Sequence, residues 1–510
     1  MLSKIHSSAT VGLDCLPVDV EVDIASHGLP SFTIVGLADR AVEESKERVR
    51  AAIKNSGGEI PARRITVNLA PAQLPKEGSA YDLSIAVGIL AATGSIPNNL
   101  SDSLVLGELS LDGNLRKITG VLPQILLAKN SGLAKVFLPT ANATEAALVA
   151  DIEVYPVEDL IQLVKHLTGV EVISPIKNLS VDKFFEDGQD FELDMAEIVG
   201  QERAKRALEI AAAGFHNVLL SGPPGAGKTL LAKTIPTILP KLSFEEALEV
   251  TKIYSIVGKV SQDKPLIILR PFRSPHHTAS FVGLIGGGTN PSPGEITLAH
   301  RGVLFLDEFG EFPRSSLEAL RQPLEDGVVT ISRAKGAATF PAKFILIAAC
   351  NPCPCGFLGD TKKACICSPA TVTRYQKRIS GPILDRIDIH LTVPAVEVEK
   401  LTGVSKNEAS SKIRQRVEQA HKIQRKRFGK SYTQFNSQTT NNQVKKFCKL
   451  DERSLTLLKS AVSELGLSAR GFYKTIKIAR TVADLEDCQN IKLEHIAEAL
   501  QYRPNFPSVV

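Results

Sequence analysis

The chain has 510 residues, too many for one hydrophobic core, and its length points to about three domains. Its 43% hydrophobic and 23% charged content is that of soluble globular protein, and no apolar run reaches the roughly 20 residues of a membrane span. A net charge of +5 is only mildly basic, so a polyanion partner has to be read from where the charge sits, not from its sum. The first residues lack the charged start, apolar stretch and small-residue cleavage site of a secretion signal, so the expected location is the cytoplasm.

In chain order, VDVEVDIA and SFTIVGLA are strand-like. Helical spacing follows through Val42, Val49, Ala52 and Ile53, and stops at Gly57 and Gly58. RRITVNLAP is a further strand, DLSIAVGILAATG a buried helix, and GVLPQILLAKNSG with KVFLP a helix then a strand. These elements predict an α/β domain over 1–170. The stretch 171–194 mixes Pro, Asn, Ser and acidic residues, as linkers do. Over 195–395 strands alternate with helices, which predicts a mostly parallel sheet. From 396 to 510 the strand signals stop, and an all-α domain is expected.

The residues Gly222-Pro223-Pro224-Gly225-Ala226-Gly227-Lys228-Thr229 fit G-x-x-x-x-G-K-[ST], with an apolar strand before and a helix after. Glycines let successive backbone N–H groups converge on phosphate oxygens, and a helix N-terminus adds positive partial charge. Lys228 is expected on the β- and γ-phosphates of ATP, and Thr229 on Mg²⁺. Downstream, the apolar run Val303–Leu306 ends in Asp307 and Glu308. Asp307 is expected to hold Mg²⁺ through water, and Glu308 to orient and deprotonate the attacking water. An acidic turn after a core strand is the plainer reading of that pair taken alone.

Several segments carry a family resemblance. They are Val35-Gly-Leu-Ala-Asp39-Arg40-Ala-Val-Glu-Glu-Ser45, Phe272-Arg273-Ser274-Pro275-His276-His277-Thr278, Asn351-Pro352-Cys353-Pro354-Cys355-Gly356, and Arg378-Ile-Ser-Gly-Pro-Ile-Leu-Asp385-Arg386-Ile-Asp388. On these the chain resembles the magnesium-chelatase-like AAA+ ATPases of the YifB/ComM group over nearly its whole length. The resemblance implies an AAA+ core with a C-terminal helical lid. It also implies a sensor role for Asn351, an arginine finger at Arg386, and a lid arginine at Arg470 that reaches phosphate. Arg378 is a second finger candidate. Read without the resemblance, Asn351 is a turn former, Arg386 a salt-bridge partner of Asp385 or Asp388, and Arg470 an exposed helix charge. A finger acts on a neighbour's site, so the resemblance implies a ring of identical subunits, usually a hexamer.

LAPAQLPKEGSAYDLSIAVGIL resembles the proteolytic domain of Lon, of the ribosomal S5-like fold. Ala80 and Leu122 stand at the positions matching that dyad's serine and lysine, so no peptidase activity is expected; a shifted pair would be Ser79 with Lys117. Cys353, Cys355, Cys365 and Cys367 form two C-x-C pairs that would suit Zn²⁺, although the spacing is tighter than the usual C-x₂-C, and free thiols are the alternative.

DNA is the expected partner. VVTISRAKGAATFPAK is a predicted hairpin with Arg333 and Lys335 at its tip, and FVGLIGGGTNPSPG a glycine-rich insertion within Thr278 to Pro293; both would line a ring channel and follow a phosphate backbone. The stretch from Lys412 to Lys430 is densely basic with a poor hydrophobic repeat, which fits DNA binding or a solvated face. The function expected is that of a branch-migration helicase in natural transformation, with a chelatase-like motor acting on a partner protein as the alternative.

Overall fold

The computed structural model describes residues 2–27, 29–177, 179, 184–185, 191–288, 291–333, 336–360, 363–395, 407–429 and 434–503. Two compact units divide the chain. One consists of Met1–Asp187 and Phe244–Ile268, the other of Gly188–Ser243 and Leu269–Val510.

The first unit is built on a seven-stranded mixed sheet. Its strand order is Ser31–Val35, Arg64–Ala70, Asp14–Ile24, Leu2–Val11, Ser103–Val105, Lys135–Pro139, Glu153–Val157. Period-two alternation turns Val18, Val20, Val22 and Ile24 inward. The helix Asp82–Ala92 is buried on every side, as its uniformly apolar sequence requires. Gly88 brings it against the sheet, since a Cβ there would stand 2.6 Å from Val22 Cγ2. The amphipathic helix Arg40–Asn55 starts at Asp39, whose carboxylate accepts the Val42 N–H at 2.8 Å.

The boundaries run differently from the expected segmentation. Phe244–Ile256, from the middle of 195–395, packs on the helix Val121–Asn130 of this unit. Ser255 O accepts the Gly120 N–H at 2.9 Å, and Val260 O accepts Lys117 Nζ at 2.9 Å. Val250 and Ile253 lose all exposure there. The start of the expected linker is also part of this unit: Ile173 is buried, and the Ile176 N–H donates to Val154 O at 2.8 Å. Residues 178, 180–183 and 186–190 of that stretch, and the expected boundary at 395/396, fall on or against residues outside those described.

The second unit holds a five-stranded, all-parallel sheet in the order Phe272–Arg273, Val303–Leu306, Ile345–Cys350, Val218–Ser221, Ile389–Thr392. The C-terminal helices Ser410–Phe428, Asn441–Phe447, Glu452–Leu465, Ala469–Leu485 and Leu493–Leu500 follow. One continuous core runs from Val218, Leu220 and Ile347 of the sheet to Val417, Ala420, Ile478 and Val482 of these helices. The α/β fold with a parallel-sheet core and a C-terminal all-α region is therefore present, but the helices share the sheet's core and have none of their own.

The basic helix is a correction. Ser410–Phe428 buries Ile413, Val417, Ala420, His421 and Gln424, a regular helical stripe. Two polar residues sit in it because they satisfy carbonyls: His421 Nε2 lies 3.0 Å from Ala212 O, and Gln424 Nε2 donates to Ala213 O at 2.8 Å. Arg416 is paired with Glu209 and Glu408, and Arg427 with Asp484, so part of the helix's charge is spent within the fold.

Charged groups also bind the sheet to the helices. Asp388, just before the strand Ile389–Thr392, lies 2.9 Å from Lys474 Nζ and 3.4 Å from His216 Nδ1. Burial opposes its ionisation, yet Lys474 and His216 hold its carboxyl well below the usual carboxylate range. Burial, with Arg503 and Lys474 nearby, pushes the His390 imidazole down to about 4. An unfolded histidine takes a proton near 6.5, so between that pH and about 4 the unfolded chain binds more protons. His390 thus contributes stability that is fully present above pH 6.5 and is lost as the pH falls toward 4. Denaturation midpoints measured at pH 7 and pH 5 should differ less in His390→Gln than in the parent.

Candidate active site

The strand Val218–Ser221 runs into Gly222, where a Cβ would stand 2.1 Å from Val393 O, so no side chain fits. Gly225 and Gly227 take positive φ values of 76° and 84°, the left-handed region glycine occupies without strain. The helix Lys228–Ile238 then begins with no side-chain cap, so its first N–H groups face outward for an anion. Lys228 folds back over the loop: Nζ donates to Gly222 O at 2.7 Å, Pro223 O at 2.9 Å and Asn351 Oδ1 at 3.2 Å. Burial lowers its pKa, with Cys350 and Asp307 pulling the other way.

Thr229 Oγ1 donates to Asp307 Oδ2 at 2.7 Å, and Asp307 Oδ1 accepts the Glu308 N–H at 2.9 Å. Two adjacent oxygen ligands on an octahedral Mg²⁺, each about 2.1 Å from the ion, stand about 3 Å apart. The Thr229 and Asp307 oxygens fit that spacing. Glu308 adopts φ 49°, ψ 46°, a conformation costly for a residue with a Cβ and common at functional sites. Its Oε2 lies 2.9 Å from His277 Nδ1.

The fold thus brings Gly222–Thr229, Asp307, Glu308 and Asn351 to one edge of the sheet, each at or just after the carboxyl end of a parallel strand. It does not bring Arg386 or Arg470 there. Arg386 precedes the strand Ile389–Thr392, whose Ile389 is paired with Val218, so it stands near the amino edge. Its guanidinium pairs with Glu325 and donates to Pro382 O at 2.7 Å. Arg470 Nη2 lies 3.5 Å from the same Glu325 carboxylate. The salt bridge considered for Arg386 with Asp385 or Asp388 is replaced by this one, and Arg470 is aligned with Arg386 and not with its own phosphate loop. Glu325, Arg386, Asp388, Arg470, Lys474 and Lys477 line a cavity of about 760 Å³. Arg378 pairs with Glu311 at 2.6 Å, beside the turn that follows Glu308.

The four cysteines also converge. Cys353 Sγ lies 3.4 Å from Cys355 Sγ and 3.6 Å from Cys365 Sγ, Cys355 and Cys365 are 3.6 Å apart, and the four sulfurs including Cys367 lie within 4.8 Å of one another. All four are free cysteines, and a tetrahedral Zn²⁺ site with bonds of about 2.3 Å needs sulfurs roughly 3.8 Å apart. Backbone N–H groups of Phe357 and Ile366 pull the Cys355 thiol down to about 6, which favours a thiolate ligand. Gly356 seats this loop on the phosphate loop: a Cβ on it would stand 2.5 Å from Pro224 Cδ. A second constellation, Glu486, Cys488 and His495, is poorly disposed for metal. His495 Nδ1 accepts the Lys492 N–H, so the ring proton sits on Nε2, which faces Glu486.

In the first unit Ser79 Oγ donates to Glu108, and Lys117 Nζ to Val260 O, so the two residues have separate partners. Leu122 lies in the core. Sequence reasoning gave no role to three residues near the site. His277 and Glu325 are two; the third is Gln201, whose left-handed backbone sends its amide to Ala226 O at 3.4 Å and Pro394 O at 2.7 Å. The tandem His276-His277 inside a quoted motif was the available signal for the first.

Residues 194–401 match the family described as magnesium chelatase, subunit ChlI; residues 20–142 match a second ChlI segment, and 407–503 the ChlI C-terminal region. The competence protein ComM of Haemophilus influenzae is 43% identical over 504 residues, 98% of this chain and 97% of that protein. The chain belongs to the YifB/ComM family of magnesium-chelatase-like AAA+ proteins. The family protein YifB of Salmonella typhimurium is 42% identical over 505 residues, 98% of this chain and 97% of YifB. An archaeal Lon protease of Thermococcus kodakarensis is 29% identical over 173 residues, 32% of this chain and 27% of the protease. Membership of this AAA+ family supports ATP hydrolase activity, implies ATP and Mg²⁺ as ligands, and suggests oligomers. Among the described residues no helix is long and apolar enough to cross a membrane.

The Gly222 contact yields a direct test. Gly222→Ala forces the loop off Val393 O, and titration with a fluorescent ATP analogue should show affinity weakened by about tenfold or more in a chain that still melts cooperatively.

Proposed function

We propose that the chain is a cytoplasmic, ring-forming ATPase that translocates on DNA as a branch-migration helicase, in recombination of incoming DNA during natural transformation. What supports a ring is the split of the site: the phosphate loop and carboxylates stand on the carboxyl edge of the sheet, and the Arg386–Arg470 pair stands toward the amino edge. One chain therefore carries two halves of two sites. A homohexamer, the usual AAA+ ring, would align each arginine pair with the next subunit's triphosphate.

In this reading backbone N–H groups of Gly222–Gly227 cradle the phosphates. Lys228 leaves the carbonyls of Gly222 and Pro223 for the β- and γ-oxygens, and Thr229 and Asp307 hold the metal. Bound Mg²⁺ draws charge from the phosphoryl oxygens. Glu308 takes a proton from the attacking water as its oxygen bonds to the γ-phosphorus, Asn351 steadies that water, and the leaving diphosphate keeps the electron pair of the broken bond. Arg386, with Arg470 beside it, neutralises charge developing on the neighbour's phosphate.

DNA as the polymer is supported by full-length likeness to a protein named for competence and by the hairpin Val328–Arg333 with Gly336–Pro341. The tip expected at Arg333 and Lys335 lies outside the described side chains. The match to the chelatase subunit favours a second reading, a motor remodelling a partner protein. ATP turnover measured with and without four-way-junction DNA separates them. The helicase reading expects stimulation and salt-sensitive binding, and loses if neither occurs. Lys228→Ala should abolish turnover. Arg386→Ala and Glu308→Gln, each inactive alone, should regain part of the activity on mixing; a mixture that stays inactive, or a strictly monomeric chain with ATP and DNA, removes the ring.

The Cys353, Cys355, Cys365 and Cys367 set would hold one Zn²⁺ that braces the loop under Pro224. Metal analysis of untagged protein should give close to one zinc per chain, and a content near zero removes this assignment.

A further inference from the structure

The base of the glycine-rich insertion is clamped. Arg273 donates to Glu295 through Nε at 2.5 Å and Nη2 at 2.6 Å, a bidentate pair that joins the two ends of the excursion between them. Above this clamp His276 and His277 stack with ring centroids 4.1 Å apart, and His276 Nδ1 is 2.8 Å from Thr278 Oγ1. His277 meets the edge of Phe312 at 6.4 Å, and its Nδ1 stands 2.9 Å from Glu308 Oε2. No other side-chain partner of Glu308 stands among the described residues, although its backbone N–H is held by Asp307.

Beyond His277 the insertion turns into the short helix Phe281–Ile285, which buries Leu284 and Ile285 and leaves Phe281 and Val282 nearly half exposed. Gly286 and Gly287 then pair with Pro293 and Ser292. A Cβ on Gly286 would stand 2.9 Å from Ile331 Cδ1, so the insertion packs directly on the Val328–Arg333 arm of the hairpin. The path is short and continuous: hairpin, insertion, His277, Glu308. Arg273–Glu295 fixes its lower end, so a displacement of the insertion is carried by the segment that holds His277.

We propose that His277 is a positioning residue that restrains Glu308 and releases it when a strand held by the hairpin and insertion moves them. A carboxylate oxygen that accepts the imidazole N–H is unavailable to the attacking water until the pair parts. The contact therefore ties proton abstraction to occupancy of the channel. This rests on the reading of Glu308 as the group that deprotonates water.

Two substitutions in the full chain separate the hydrogen bond from ring packing. His277→Phe keeps the stacking and loses the donor; His277→Asn keeps a donor near the same place and loses the ring. Steady-state ATP hydrolysis is read without DNA and with single-stranded oligo-dT, and kcat and KM are resolved. In His277→Phe, kcat without DNA should rise by about threefold or more with KM for ATP little changed, and the response to oligo-dT should flatten. His277→Asn should stay close to the parent in both. The opposite order, with Asn deregulated and Phe like the parent, makes His277 a packing residue and overturns the proposal. So does a kcat in His277→Phe that is unchanged or falls. Glu308→Gln run alongside isolates the other failure: if it retains the parent's turnover, the reading of Glu308 is wrong irrespective of His277.

Discussion

All five strands of the ATPase sheet run in one direction, so every segment that leaves a carboxyl end emerges on one edge and every segment that enters an amino end arrives at the other. This constraint separates the groups that grip a triphosphate from the guanidinium groups that would answer its charge. No rotamer change carries Arg386 across a sheet whose strands are about four residues, or roughly 13 Å, deep. Completion of a site thus falls to assembly, and Glu325, which pairs with both Arg386 and Arg470, keeps the two arginines together on the outward half. The buried Asp388–Lys474–His216 cluster locks the helix bearing Arg470 to the strand following Arg386, so the two arginines have a common base.

What was legible in the sequence was local. The phosphate loop and the Val303–Glu308 run are short windows in which glycine spacing or an apolar strand ending in carboxylates fixes both geometry and chemistry. The surroundings of Arg386 were not legible, because its partner Glu325 is 61 residues away, and Arg470 meets the same carboxylate across 145 residues. The basic helix misled for another reason. Two of its buried positions are His421 and Gln424, whose polarity is matched by carbonyls of another helix, and a hydrophobic count misses such positions. His277 stood in a quoted motif without a role, since a histidine pair does not reveal which carboxylate it will face.

Packing of the cysteine loop on Pro224 gives the nucleotide loop a support that nucleotide itself does not supply. The phosphate loop is made of glycines with large conformational freedom, and its order depends on what flanks it: Val393 below Gly222, and Gly356 against Pro224. The cysteine cluster is therefore a structural part of the ATP site even though none of its sulfurs need touch ATP.

The excursion of Phe244–Ile268 out of the ATPase unit governs how the protein can be dissected. A chain trimmed before residue 188 keeps the Phe244–Ile256 helix while discarding the helix it packs on. Val250 and Ile253, each worth about 1.5–3 kcal/mol when fully buried, then face water. Such a fragment presents an adhesive apolar stripe on a tether, and clumping or sluggish turnover in it would report the stripe, not the catalytic competence of the remaining sheet. A faithful minimal ATPase needs a short polar bridge from Ser243 to Leu269 in place of the excursion.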